Sequence, residues 1–142
     1  MVKAKDLLDY ICNDLSIRLF SGIVCSGLLP IFNKMDGSFM HYIPTIIEKT
    51  AHGIVCGSYL SGIKSSLILD YRLLSSIDFI FNIKNNIPLF IIAYNDGSVQ
   101  DIESLSNINL SDNYKDDLNR LDKIVFDDLK TGVLVIRDGV LK

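Results

Sequence analysis

The chain lacks the features that would place it in a membrane or outside the cell. None of its 142 residues belongs to an apolar run of the roughly 18 residues that a membrane span requires. The first six residues are polar and do not form the apolar region of a signal peptide. Its three cysteines are an odd number without CxxC spacing, which argues against a disulfide framework or a zinc site. We therefore expect reduced thiols in a cytoplasmic protein.

Basic clusters are also missing from the sequence. The formal net charge is -3, and a weakly acidic chain without a basic patch is a poor nucleic-acid binder. The aspartates between residues 112 and 128 indicate a solvated acidic region, because no tight spacing groups them as metal ligands. We predict neither a nucleic-acid partner nor a metal held by this chain.

Strands and helices alternate in the hydrophobic pattern. The predicted strands cover residues 22–25, 39–43, 66–70, 89–94 and 132–137. The predicted helices cover residues 3–19, 26–32, 44–60, 73–83 and 116–130. Asp36-Gly37 signals a turn, and the polar residues 98–113 predict a long loop or a short helix. The alternation predicts one α/β domain over residues 1–142, a three-layer doubly wound sandwich with a mostly parallel sheet.

An acidic residue stands near the start of a helix rich in small residues. Glu48 precedes Ala51, Gly53 and Gly57 in a segment that is otherwise apolar or small on its packing side. Glu48 is either a solvated first-turn acid, favoured by the helix dipole, or a buried catalytic group. Partial burial raises the pKa of a carboxyl group and would suit a catalytic role.

The segment from Ile43-Pro44 through Glu48 to Lys64 resembles the PYR domain of thiamine-diphosphate enzymes, and most of all the sulfopyruvate and phosphonopyruvate decarboxylases. In that family an IP-x-x-x-E-E turn is followed by GIxAGAYLAGK, a pattern matched here by Gly53, Gly57, Tyr59, Leu60, Gly62 and Lys64. Three further segments resemble the family motifs GVPCS, IPLLLIISYRG and GPVALLVxxG, namely residues 22–26, 87–94 and 131–139. The resemblance extends over nearly the whole chain in the right order.

The resemblance implies roles for five residues. Glu48 would hydrogen-bond N1′ of the aminopyrimidine ring and so activate thiamine diphosphate for decarboxylation of a 2-oxo acid. Cys25 and Ser26 would contact the cofactor, although Cys25 fits a buried small hydrophobic residue equally well. His52 would touch substrate or else be a packed helix-face histidine. Arg72 would bind a sulfonate or phosphonate tail, or face solvent.

The family's GDG…N motif, which holds magnesium and diphosphate, is absent from this sequence. The resemblance therefore implies an α subunit whose PP domain, with the Mg²⁺, belongs to a separate β subunit. The decarboxylase would be active only as a hetero-oligomer with its site between chains. Gly53 and Gly57, one helical turn apart, would suit close packing against that partner.

Four departures from the family pattern motivate other hypotheses. The Gly-rich QxSGLGN stretch is replaced by residues 69–75, and YRG by residues 94–97, without the arginine. Lys49 stands where the family has a second acid, and no proline precedes Cys25. One alternative is a degenerate PYR-fold subunit that acts as a scaffold or regulator. A separate alternative, which does not depend on these departures, is a carboligase subunit, because the family's enamine intermediate serves both decarboxylation and carboligation.

Overall fold

A computed structural model of the chain describes residues 1–35 and 40–142. Its strands are β1 Leu19–Gly22, β2 His41–Pro44, β3 Ser65–Asp70, β4 Phe90–Tyr94, β5 Ser106–Asn109 and β6 Gly132–Ile136. Its α-helices are α1 Ala4–Asp9, α2 Leu29–Phe32, α3 Glu48–Leu60, α4 Phe79–Lys84 and α5 Tyr114–Asp122. Short 3₁₀ helices cover Ser26–Leu28 and Tyr71–Ser76, and π-helical turns cover Tyr10–Asp14 and Lys123–Asp127. No helix in the described ranges combines the length and apolar character needed to cross a membrane.

The described strands form one parallel sheet in the order β2-β1-β3-β4-β6-β5. This order confirms the predicted α/β class with a doubly wound sheet. β1 and β3 are neighbours, and the chain leaves them toward opposite edges of the sheet, to β2 and to β4. In open α/β sheets, the crevice at the carboxyl ends of two such strands is the usual ligand site.

Both faces of the sheet are buried, which explains the apolar runs of its central strands. On β3, Leu67 and Leu69 belong to one hydrophobic core, and Ile68 belongs to the other. Helix α3 contributes Ala51 and Val55 to the first core, whereas α1 and α5 pack in the second. The three predicted layers are therefore present.

Two strands differ from the prediction. The strand predicted at 22–25 is β1 at Leu19–Gly22, because the chain leaves the sheet after Gly22 and Val24 is 52% exposed. Residues 98–113 contain the edge strand β5, in which only Ile108 is buried. A single buried position gives no apolar run from which the strand can be predicted.

The predicted helices also differ at their ends. The helix predicted at 44–60 begins at Glu48, because Pro44 lies in β2 and Ile47 is extended. The helix predicted at 73–83 is two elements, because the carboxylate of Asp78 caps α4 by accepting from the Phe81 N–H. The helix predicted at 3–19 ends in the π-helical turn Tyr10–Asp14. The predicted turn at Asp36-Gly37 and the first residue of the strand predicted at 39–43 lie outside the described residues.

Candidate functional site

Glu48 is the first residue of α3, at the edge of the sheet where β2 ends. No side chain caps this helix, so its positive dipole end favours a negative charge at Glu48. The Ser76 hydroxyl donates to Glu48 Oε1 at 2.6 Å. This hydrogen bond is the main cause that lowers the pKa of Glu48, and desolvation opposes it more weakly. The pKa of Glu48 is therefore lowered on balance, whereas the catalytic interpretation of the sequence suggested a pKa raised by burial.

A groove of about 600 Å³ runs along α3 beside Glu48. It is lined by Lys49, His52, Gly53, Cys56, Gly57, Leu60, Ser76, Asp78 and Phe81. Ser76 thus contacts Glu48 and lines the groove as well. Glu48 is therefore hydrogen-bonded to one of the residues that line this largely apolar groove.

Gly53 and Gly57 lie on the exposed side of α3 and meet no neighbour. A Cβ atom added at either position would find no heavy atom within 4 Å. Glycine in a helix interior costs about 0.5–1 kcal/mol relative to alanine. Because packing within the chain does not require these glycines, they leave room for a group that approaches α3 from outside.

His52 is fixed by a buried amide. Asn82 is 2% exposed, and its Nδ2 donates to the Ile87 carbonyl at 3.0 Å and to Cys56 Sγ at 3.4 Å. The Asn82 Oδ1 therefore faces His52, whose Nε2 donates to it at 2.6 Å. His52 is thus a hydrogen-bonded histidine that lines the groove, and its contact with substrate stays a prediction.

Cys25 and Ser26 lie just beyond the carboxyl end of β1, at the crevice between β1 and β3. Burial raises the pKa of the Cys25 thiol, so this group is neutral at physiological pH. Ser26 is exposed and begins the 3₁₀ helix Ser26–Leu28. Their contact with a cofactor stays a prediction.

Arg72 lies at the same crevice, beyond the carboxyl end of β3. Its Nε donates to Asp70 Oδ1 at 3.0 Å and its Nη2 to Asp70 Oδ2 at 3.1 Å. The two hydrogen bonds to Asp70 raise the pKa of Arg72 and occupy one edge of its guanidinium group. An anionic tail at Arg72 would have to share it with Asp70.

The segment that replaces the family's glycine-rich stretch is an anchored 3₁₀ helix. The carboxylate of Asp70 caps it by accepting from the Arg72 N–H at 2.9 Å. Tyr71 is buried, and its hydroxyl donates to Asn107 Oδ1 at 2.6 Å. Leu74 is buried in the core. These anchors hold the end of the helix, Ser76, against Glu48.

The sequence did not reveal two of the polar contacts near this edge. Ser76 is 28 residues from Glu48, and no local pattern connects them. At the end of β4, the Tyr94 hydroxyl donates to Asp138, and this bond raises the pKa of Tyr94 to about 12. Within residues 1–35 and 40–142, no three histidine, cysteine or acidic side chains are grouped so that they could hold a metal ion.

Neither a protein-family model nor a curated protein matches this sequence. Among solved structures, the fold is similar to a 2-oxoglutarate:ferredoxin oxidoreductase from Magnetococcus marinus with 2-oxoglutarate, coenzyme A and succinyl-CoA bound. The TM-score is 0.72 at 9% sequence identity, over 96% of this chain and 29% of that chain. The likeness shows a shared fold, and this chain spans less than a third of the neighbour's length.

Proposed function

We propose that this chain is the PYR-type α subunit of a thiamine-diphosphate-dependent 2-oxo acid decarboxylase of the sulfopyruvate or phosphonopyruvate type. The observation that carries the proposal is the carboxylate of Glu48, held at the start of α3 beside the groove. A second support is the fold, which the chain shares with an oxidoreductase of 2-oxoglutarate, itself a 2-oxo acid.

The side chains present fit the aminopyrimidine end of thiamine diphosphate. Glu48 supplies a carboxylate that can share a proton with a ring nitrogen, and Cys25 and Ser26 offer a neutral thiol and a hydroxyl at the crevice. When bound, the cofactor supplies the electron sink for loss of carbon dioxide. The described residues include no group of three or more histidine, cysteine or acidic side chains that could hold a metal ion, and we assign the Mg²⁺ and the diphosphate to the β subunit.

The β subunit would pack on the surface formed by α3 and α4. Large apolar side chains are exposed there, among them Leu60 at 70%, Ile80 at 64%, Phe81 at 43% and Ile83 at 73%. Exposed apolar surface of this kind marks interaction sites, and Gly53 and Gly57 would admit a closely approaching element. Binding there would place the partner next to Glu48, as an active site between chains requires.

The substrate would be a three-carbon 2-oxo acid with a sulfonate or phosphonate tail. We assign Arg72 as the cation that binds this tail, and the tail would compete for Arg72 with the Asp70 carboxylate. This competition also favours the alternative function. With its arginine paired and its glycine-rich stretch replaced by an anchored 3₁₀ helix, the chain would be a non-catalytic scaffold or regulator.

Affinity purification of the tagged chain from its native host separates the two functions. The decarboxylase proposal predicts that a chain with a GDG…N motif co-purifies, with thiamine diphosphate in the eluate after addition of Mg²⁺ and cofactor. A partner complex that binds no thiamine diphosphate under these conditions would favour the scaffold.

A further inference from the structure

Ser76 is held in place independently of Glu48. It ends the 3₁₀ helix Tyr71–Ser76, which is fixed by the Asp70 cap and by the buried side chains of Tyr71 and Leu74. The hydroxyl of Ser76 therefore approaches Glu48 from a rigid element, and the distance of 2.6 Å is that of a charge-assisted O–H···O bond.

The Ser76 hydroxyl has two acceptors and one hydrogen. Glu48 Oε1 is 2.6 Å away, and the Leu73 carbonyl oxygen is 2.9 Å away. The ionised carboxylate is the closer and stronger acceptor, so the hydrogen points to Glu48. A protonated Glu48 is a weaker acceptor, and the Leu73 carbonyl then offers the hydroxyl an alternative partner. The hydrogen bond from Ser76 is therefore stronger when Glu48 is ionised than when Glu48 is protonated.

We propose that Ser76 is a positioning residue that orients Glu48 by one oxygen and holds it as the carboxylate. This inference rests on the proposed function, which assigns the Glu48 carboxylate its role in cofactor activation. Among the described residues, no other side chain hydrogen-bonds to Glu48. The second oxygen of Glu48 would thereby be left for the ring nitrogen of the cofactor, and the proton shared by the two groups would be biased toward the ring.

The other charged or titratable groups that line this groove are Lys49, His52 and Cys56 on α3 and Asp78 before α4. Lys49 favours the carboxylate through its charge, but less than the hydrogen bond does. Any effect of Ser76 must therefore be measured with these four residues unchanged.

The direct test is a carbon NMR titration of the full-length chain labelled with carboxyl-¹³C glutamate. The chain has only two glutamates, Glu48 and Glu103, so two signals are expected and Glu103→Gln assigns them. Ser76→Ala should move the Glu48 midpoint to higher pH and leave Glu103 unchanged. Ser76→Thr, which keeps the hydroxyl, should restore the wild-type midpoint.

Ser75→Ala is the matched control. Ser75 belongs to the same 3₁₀ helix, but its hydroxyl donates to the Arg72 carbonyl, and we expect no shift of either glutamate. If Ser76→Ala does not fold, Ser76→Cys replaces it, because a thiol is a weak donor and should also raise the Glu48 midpoint. An unchanged Glu48 midpoint in a folded Ser76→Ala or Ser76→Cys chain would overturn the proposal.

Kinetics of the assembled complex separate this inference from the proposed function. Ser76→Ala should lower kcat about tenfold, the scale of one hydrogen bond to a charged group, and shift the acid limb of the pH–rate profile to higher pH. An active wild-type complex whose profile is unchanged by Ser76→Ala overturns the positioning role alone. A wild-type complex without cofactor-dependent turnover overturns the proposed function, even if the NMR midpoint moves.

Discussion

Replacing Gly53 and Gly57 by alanine should stabilise the isolated chain and weaken its complex. Both glycines are exposed helix-interior residues, and an added Cβ meets nothing within 4 Å at either position. Each replacement should gain about 0.5–1 kcal/mol, because alanine loses less backbone entropy than glycine in a helix. The double variant should gain about 1–2 kcal/mol, which raises Tm by about 2–8 °C in a chain of this size.

The free energy of unfolding of each variant is measured by urea denaturation of the isolated chain. Gly22→Ala and Gly27→Ala are controls of opposite sign, because their Cβ atoms would lie 1.6 Å from the Ile68 carbonyl oxygen and 2.3 Å from the Tyr94 ring. Both controls should destabilise the chain. Destabilisation by the double variant Gly53→Ala/Gly57→Ala would refute the argument that packing within the chain does not require these glycines.

The same double variant tests the partner surface. Two added methyl groups in a close-packed interface cost about 1–3 kcal/mol, so affinity for the co-purified partner should fall on the order of tenfold. Titration calorimetry or surface plasmon resonance with the purified partner measures this change. Unchanged affinity would show that the partner does not pack closely on α3.

Two further predictions concern stability. Tyr71→Phe should lower the free energy of unfolding by about 1–3 kcal/mol, because the Tyr71 hydroxyl donates to Asn107 and accepts from the Ile102 N–H; an unchanged urea midpoint would contradict this. The pKa of Glu48 is lowered by Ser76, so ionised Glu48 adds stability that is fully present above its unfolded pKa, near 4.5, and is lost as the pH falls through its lower folded pKa. The stability difference between wild type and Glu48→Gln should therefore shrink as the pH falls below 4.5, and a difference that grows in acid would refute the sign of the shift.

The sequence predicted the central part of the fold well because those strands are buried on both faces. β4 and β6 are continuous apolar runs, and the predicted bounds agree with the observed ones to within one residue. The strands farther from the centre of the sheet were harder to predict. β5 has a single buried residue, Ile108, and β1 contains a buried serine, Ser21, whose hydroxyl donates to the Ile43 carbonyl. Both strands form because they pair with a neighbouring strand, and such pairing leaves no local pattern of apolar residues in the sequence.

The candidate site was also predictable only in part from the sequence. Glu48 stands out in the sequence because the segment around it resembles a family motif that contains a cofactor-activating glutamate. Its contact with Ser76 depends on how the 3₁₀ helix after β3 is anchored, through Tyr71 to Asn107, 36 residues further along the chain. A hydrogen bond that depends on such a long-range anchor has no sequence signature. The pairing of Arg72 with Asp70 was equally hidden, although the two residues are only two positions apart.

The most direct test of the central claim is release of carbon dioxide from sulfopyruvate and phosphonopyruvate by the purified complex, with and without thiamine diphosphate and Mg²⁺. Wild-type Glu48 is compared with Glu48→Gln, and Glu103→Gln serves as the control for loss of a remote glutamate. We predict cofactor-dependent release that Glu48→Gln lowers by about 10²- to 10⁴-fold, the range for loss of a general acid–base group, while Glu103→Gln retains full activity. Equal rates for wild type and Glu48→Gln would contradict the account.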